Sequence, residues 1–217
     1  MSYLGHILSK EGVSPDPSKV TAIWNFLWPK TVIDVRAFLG LSGYYRSFIN
    51  DYVAISRPLT LLTKKDEKFE WAEAQQLSFD KLKAGFCSVL AHPRFDLSFI
   101  LSCDSSNYAI SAILSQLQNG QERPVSFASR MLNKAEKNYS TTHKEFLAVV
   151  FGTHVHRFFL YGRKFKIMTD HAALKWLITV KNHQCAQLTR WVLKLAEYEF
   201  EIEHKPRKKH VNADCLS

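Results

Sequence analysis

Four acidic residues in the second half of the chain, Asp104, Glu145, Asp170 and Asp214, have the type and spacing that could do chemistry. Asp104 and Asp170 each close a short apolar run, Leu97 to Cys103 and Phe165 to Thr169. Glu145 falls in a stretch patterned as a helix, and Asp214 lies near the last residue. Carboxylates converging at one edge of a sheet are hard oxygen ligands, suited to magnesium or manganese that keeps several waters and takes a substrate phosphate. Two such ions about 4 Å apart can activate a water and stabilise a leaving oxygen, which is what cutting a phosphodiester requires. Without a cation the same acids repel one another and some are pushed to higher pKa. A single Asp at a strand end is usually a solvated turn residue, so the weight lies on four acids in a compatible order.

With 217 residues, 46% of them hydrophobic, the chain can bury a core in one or two domains. A formal charge of +9 favours a polyanionic partner, because phosphate-facing cations release condensed counterions on binding. The excess leans toward the carboxylates: residues 1–95 carry 12 basic and 9 acidic side chains, and residues 96–217 carry 17 and 11. Cys87, Cys103, Cys185 and Cys215 show neither a CxxC pair nor regular spacing, so reduced thiols are expected rather than a zinc site or a disulfide framework. No stretch approaches the roughly 20 apolar residues of a membrane span, and the amino terminus lacks a secretory pattern, so an intracellular chain without a membrane partner is expected.

Elements able to position the acids can be read from periodicity. After a hairpin remnant at Tyr3 to Val13, Asp16 with Pro17 opens a helix carrying Val20, Ile23, Trp24 and Leu27 at i, i+3, i+4 and i+7, ended by Pro29. Thr31 with Asp34 resembles a capping box for a second helix, which Gly40 and Gly43 are expected to interrupt. A further helix is expected over Leu77 to Leu90. Past Pro93 the period changes to strands at Leu97 to Asp104, Ala109 to Gln116 and Pro124 to Ser129, with Asn119-Gly120 as a tight turn, forming an antiparallel meander. Ser140 or Thr141 caps the helix of Glu145. Phe165 to Asp170 is the fourth strand, helices follow over Ala172 to Thr179 and Leu188 to Tyr198, and Phe200 to His204 is the fifth strand. If the first and fourth strands are neighbours, Asp104, Glu145 and Asp170 meet over one sheet.

Several separated segments then resemble one family. Asp104-Ser105-Ser106, Ala112 to Gln116, Pro124 to Arg130, Glu136 to Glu145, Thr169-Asp170-His171-Ala172-Ala173-Leu174 and Ala213-Asp214-Cys215-Leu216-Ser217 are similar to the ribonuclease H domain of gypsy-type LTR retrotransposon Pol polyproteins. Tyr3-Leu4-Gly5-His6, Phe38 to Arg46 and Arg57-Pro58-Leu59 resemble the reverse transcriptase thumb and connection that precede that domain. The resemblance implies an α/β ribonuclease H-like fold, a five-stranded mixed sheet with flanking helices, over residues 96–217, after a mostly helical thumb and connection segment over 1–95. It implies Asp104, Glu145, Asp170 and Asp214 as catalytic ligands of two Mg2+ or Mn2+ ions. The implied activity is endonucleolytic cleavage of the RNA strand of an RNA/DNA hybrid, leaving a 3′-hydroxyl and a 5′-phosphate. Implied partners are the hybrid and the rest of the Pol polyprotein, its fingers, palm and integrase. The setting is a cytoplasmic retroelement particle or the nucleus. Fingers and palm would precede Met1, so this chain alone is not expected to polymerise DNA, and the last helix is expected to be cut short after Asp214.

Ser105, Ser106 and Asn107 are candidate contacts to sugar or backbone of the hybrid, equally suited to serving their own turn. Arg46, amid Trp24, Trp28, Tyr44, Tyr45 and Phe48, is a candidate nucleic-acid contact, with core packing expected for most of the aromatics. Lys205, Arg207 and Lys208, with Lys209, could hold hybrid phosphates. His171 could contact phosphate or shuttle a proton, against the plainer reading of a helix-start residue. His154 and His156, at i and i+2, do not face each other and make no zinc pair. The chain departs from the family pattern at Ser111, where glycine is usual, and at Arg207, in place of the glycine of a Pro-Gly-Lys turn. A rival reading is a non-catalytic nucleic-acid-binding or structural remnant of such a polyprotein.

Overall fold

The computed structural model of the chain describes residues 1–3, 5–65, 67–87, 89–171, 174 and 185–204. The chain divides into two units, one of Met1–Arg94 with Arg123–Met131, the other of Phe95–Glu122 with the described residues of Leu132–Ser217. Residues 123–131 therefore group with the first unit although they lie far along the chain.

In the first unit, β1 (Ser2–Tyr3), β2 (His6–Leu8) and β3 (Val13–Pro15) form an antiparallel sheet. Gly12 is required where β3 meets Leu90: its φ is 148°, and a Cβ there would lie 2.0 Å from the Leu90 carbonyl oxygen. Helix α1 (Pro17–Trp24) starts as expected, the Asp16 carboxylate accepting from the Ser18 amide. It ends earlier than expected, at Trp24, so only Val20 and Ile23 of the apolar set enter the core, and Trp24 and Leu27 are exposed. Helix α2 (Val32–Tyr44) has the full Thr31/Asp34 capping box. The expected interruption at its glycines is corrected, since the helix runs through Gly40 and Gly43 to Tyr44. A helical glycine costs only about 1 kcal/mol, and burial of Val35 and Phe38 against neighbouring elements outweighs it. Helices α3 (Tyr52–Leu62) and α4 (Glu73–Ala84) complete a core of Val20, Ile23, Phe38, Leu59, Phe79 and Leu82. The helix expected over Leu77 to Leu90 starts four residues earlier, at Glu73, ends six earlier, at Ala84, and closes in a 3-10 turn, Gly85–Cys87. Of the aromatics near Arg46, Tyr45 and Phe48 are buried, whereas Trp24, Trp28 and Tyr44 are exposed.

The strands β4 (Phe99–Ser105), β5 (Ala109–Gln118), β6 (Gln121–Met131), β7 (Lys164–Thr169) and β8 (Glu199–His204) form a mixed five-stranded sheet in the order β6-β5-β4-β7-β8. Strand β4 is antiparallel to β5 and parallel to β7, and β7 is parallel to β8. Asn119 and Gly120 both take positive φ, 53° and 79°, in the turn between β5 and β6, as their pairing required. Helix α5 (Thr141–Val155), capped by Ser140, packs on β4 and β5. The approach is close: a Cβ at Gly152 would stand 3.0 Å from Ala112 Cβ and 3.1 Å from Cys103 Sγ, so glycine lets the helix settle on the sheet. A short α6 (Arg157–Leu160) follows, and α7 (Ala186–Leu195) packs Trp191 edge-on against Phe146 of α5. The helix expected over Ala172 to Thr179 lies outside the described residues, apart from Leu174.

Ser111, where the family pattern has glycine, sits in the regular β4–β5 ladder opposite Asp104. Positive φ outside glycine is confined, among the described residues, to Asp51 and Asn119, so a side chain at 111 meets no backbone strain.

Candidate active site

Parallel pairing of β4 with β7 brings the first two acids together. Ser102 pairs with Met168, so Asp104, two residues on, runs beside Asp170, which follows directly after the end of β7. Glu145 arrives from α5. That helix and β4 run in opposite directions, as one row of contacts shows: Leu101 and Cys103 face the helix at Gly152, and strand alternation puts Ser105 next in that row. Glu145 lies seven residues, two helical turns, before Gly152. The Ser105 hydroxyl accordingly meets the Glu145 carboxylate, donating to Oε1 at 2.7 Å.

One carboxylate oxygen from each of Asp104, Glu145 and Asp170 lies within 4.8 Å of the others. Asp104 is exposed, Asp170 half-buried and Glu145 only 3% exposed. Burial chiefly, with the charges of Asp104 and Asp170, pushes the Glu145 pKa up to about 7, and hydrogen bonds from Ser105 pull the other way. Glu145 Oε2 is buried without a hydrogen-bond donor. A buried carboxylate oxygen with no donor, on a side chain that converges with two more carboxylates, is a costly arrangement that a cation would relieve. The donor set is all oxygen, which fits Mg2+ or Mn2+.

Around Asp170, His204 Nε2 donates to the Asp170 carbonyl oxygen at 3.0 Å. The His171 ring shares a 2.9 Å hydrogen bond with the Thr142 hydroxyl, and the His171 amide donates to Thr169 Oγ1. His171 thus anchors the strand end to the start of α5. Neither Thr142 nor His204 carries a sequence signal for this task, since both act through contacts made only once β7, β8 and α5 are assembled.

Ser106 serves its own turn, its hydroxyl donating to the Ala109 carbonyl and accepting from the amides of Tyr108 and Ala109. Asn107 is exposed at that turn, and Arg46 is exposed on the 3-10 turn Arg46–Phe48 of the first unit. Asp214, Lys205, Arg207 and Lys208 lie outside the described residues. His156 is buried and shares no metal-ligating group with His154; among the described residues the three acids are the one group suited to an ion. Cys103, beneath the site, has its thiol pushed far up by burial and stays neutral. Cys103 and Cys185 are free thiols.

A mixed β6-β5-β4-β7-β8 sheet with α5 across it and acids at the ends of β4 and β7 defines a ribonuclease H-like fold. Residues 94–198 match the family described as the RNase H-like domain found in reverse transcriptase. The whole chain is 43% identical to the retrovirus-related Pol polyprotein from transposon 297 and 37% identical to that from transposon gypsy, both of Drosophila melanogaster. It is 32% identical to the transposon Tf2-3 polyprotein of Schizosaccharomyces pombe. It spans 20%, 22% and 17% of the length of these relatives. A foamy viral protease-reverse transcriptase solved in complex with an RNA/DNA hybrid matches 100% of this chain and 31% of that one, with a TM-score of 0.74 at 15% identity, a likeness of fold. The chain thus belongs to the family of retrovirus-related Pol polyproteins of gypsy-like transposons and carries an RNase H-like domain.

Proposed function

We propose that the chain hydrolyses the RNA strand of RNA/DNA hybrids by divalent-metal-dependent endonucleolytic cleavage, as part of a retrotransposon reverse transcriptase. The convergence of Asp104, Glu145 and Asp170, with one oxygen of Glu145 buried and donor-free, carries this reading. In it, residues 96–217 form the nuclease domain and residues 1–95 the thumb and connection. Asp104, Glu145 and Asp170, joined by Asp214, would hold two Mg2+ or Mn2+ ions. When bound, such ions activate water and stabilise the leaving oxygen. The chain's own part is positional: β4 and β7 fix the two aspartates side by side, α5 delivers Glu145 from above, and His204 and Thr142 hold the loop that carries Asp170.

Discrimination for RNA would come from 2′-hydroxyl contacts and hybrid groove shape, with Asn107, exposed in the turn after β4, to supply one. Arg46 and the basic run of Lys205, Arg207 and Lys208 would hold phosphates, in keeping with the net charge of +9. The partners would be the hybrid and the fingers, palm and integrase of the polyprotein, inside the cell in a cytoplasmic particle or the nucleus. No helix among the described residues is long and apolar enough to cross a membrane.

A gel assay with end-labelled RNA in an RNA/DNA hybrid tests this. With Mg2+ the chain should shorten the labelled RNA and leave single-stranded RNA and duplex DNA intact, and either EDTA or Asp104→Asn should abolish cutting. Hybrid binding without cutting, in Mg2+ and in Mn2+, would favour the non-catalytic remnant instead.

A further inference from the structure

We propose that Ser105 is a positioning residue for Glu145, fixing which of its two carboxylate oxygens is presented to the ion; this rests on the metal-site reading above. Two neighbouring serines sit at the end of β4 and are used differently. Ser106 closes its turn through three hydrogen bonds. Ser105 faces α5 and gives its hydroxyl proton to Glu145 Oε1 at 2.7 Å. A hydroxyl has one proton to donate, so this bond spends it on the carboxylate and leaves none for a phosphate of the hybrid.

The terminal torsion of a glutamate is broad and roughly two-fold, so an unheld Glu145 carboxylate would swing between equivalent poses. Donation to Oε1 removes that freedom and leaves Oε2, buried and without a donor, as the oxygen with both lone pairs unused. A ligand already aimed costs less to order when the ion arrives, which is how partners behind a metal ligand strengthen binding. Because Ser105 adjoins Asp104 on one strand, it also ties two of the three carboxylates together.

The test uses the full chain and the near-isosteric pair Ser105→Thr and Ser105→Val, which differ in the hydroxyl alone. Mn2+ binding is followed by calorimetry without substrate, and hybrid cleavage is measured against Mn2+ and against hybrid concentration. Ser105→Val should weaken Mn2+ binding about 10-fold and raise the Mn2+ needed for half-maximal cleavage in step, while KM for the hybrid stays put. Ser105→Thr should bind Mn2+ like the wild type. Equal Mn2+ affinity in the two variants would overturn the proposal. So would a Val-specific rise in hybrid KM with Mn2+ binding intact, which would make Ser105 a nucleic-acid contact. A wild-type chain that binds no Mn2+ and cuts no hybrid would remove the metal site itself, and the role of Ser105 with it.

Discussion

Helix α5 carries a buried ionisable side chain near each end, and the two have opposite meanings. Glu145, in its second turn, and His156, its C-cap, are 3% and 1% exposed. Burial drives both toward neutrality, Glu145 up to about 7 and His156 down to about 4. Each also keeps one buried atom without a hydrogen bond, Glu145 Oε2 and His156 Nε2. The surroundings differ. Glu145 is ringed by two further carboxylates, whereas His156 donates from Nδ1 to the Gly152 carbonyl at 3.0 Å and caps its own helix. An unpartnered buried atom points to a binding site only where neighbours can complete a coordination sphere; otherwise it is a cost carried by packing.

This contrast can be broken at either end. The largest stability effect is expected at Glu145. Its folded pKa is raised above the unfolded value of 4.5, so the folded state holds a proton that the unfolded state gives up. The resulting penalty is small below pH 4.5, grows as pH rises, and is complete above pH 7. Glu145→Gln should therefore stabilise the metal-free chain by about 2 to 3 kcal/mol at pH 8, and by less than half of that at pH 5, as read by denaturant unfolding in EDTA. Cleavage should be lost in the same variant. A Glu145→Gln chain no more stable than wild type at pH 8 would mean that the carboxylate is well solvated.

The opposite sign holds at His156. Its folded pKa lies below the unfolded 6.5, so stability is whole above pH 6.5 and falls as pH drops toward 4, by about 2 kcal/mol. His156→Leu should flatten that acid limb without changing hybrid cleavage at pH 8, checked by melting at pH 4.5, 5.5 and 7. The smallest effect is expected at Ser140, whose hydroxyl oxygen accepts from the His143 amide at the start of α5. Ser140→Ala should cost about 1 kcal/mol at pH 8, measured by unfolding, and should leave hybrid cleavage unchanged.

Much of this was legible in the sequence where local chemistry decides. Asp16, the Thr31/Asp34 pair, Asn119-Gly120 and Ser140 act within a few residues of themselves, and the structure places all of them as their types demand. The strands were legible from periodicity, and the ribonuclease H-like fold from the family resemblance of the motifs around Asp104, Glu145 and Asp170. Non-local effects were harder to read. Packing carried α2 through two glycines, and the fate of Trp24 and Leu27 depended on where α1 stopped. The division of labour between Ser105 and Ser106 became visible only once α5 lay over the Leu101, Cys103, Ser105 row. Strand alternation held that clue, but nothing local said which helix would cover the row.

The central claim is that Asp104, Glu145 and Asp170 form a cation site, and diffraction from crystals of this chain grown with Mn2+ tests it most directly. The expected result is an anomalous peak bonded to carboxylate oxygens of all three residues, at about 2.0 to 2.6 Å, the span of hard-cation oxygen distances. That peak should disappear in Asp104→Asn. A map with Mn2+ elsewhere and the three carboxylates undisturbed would contradict the claim.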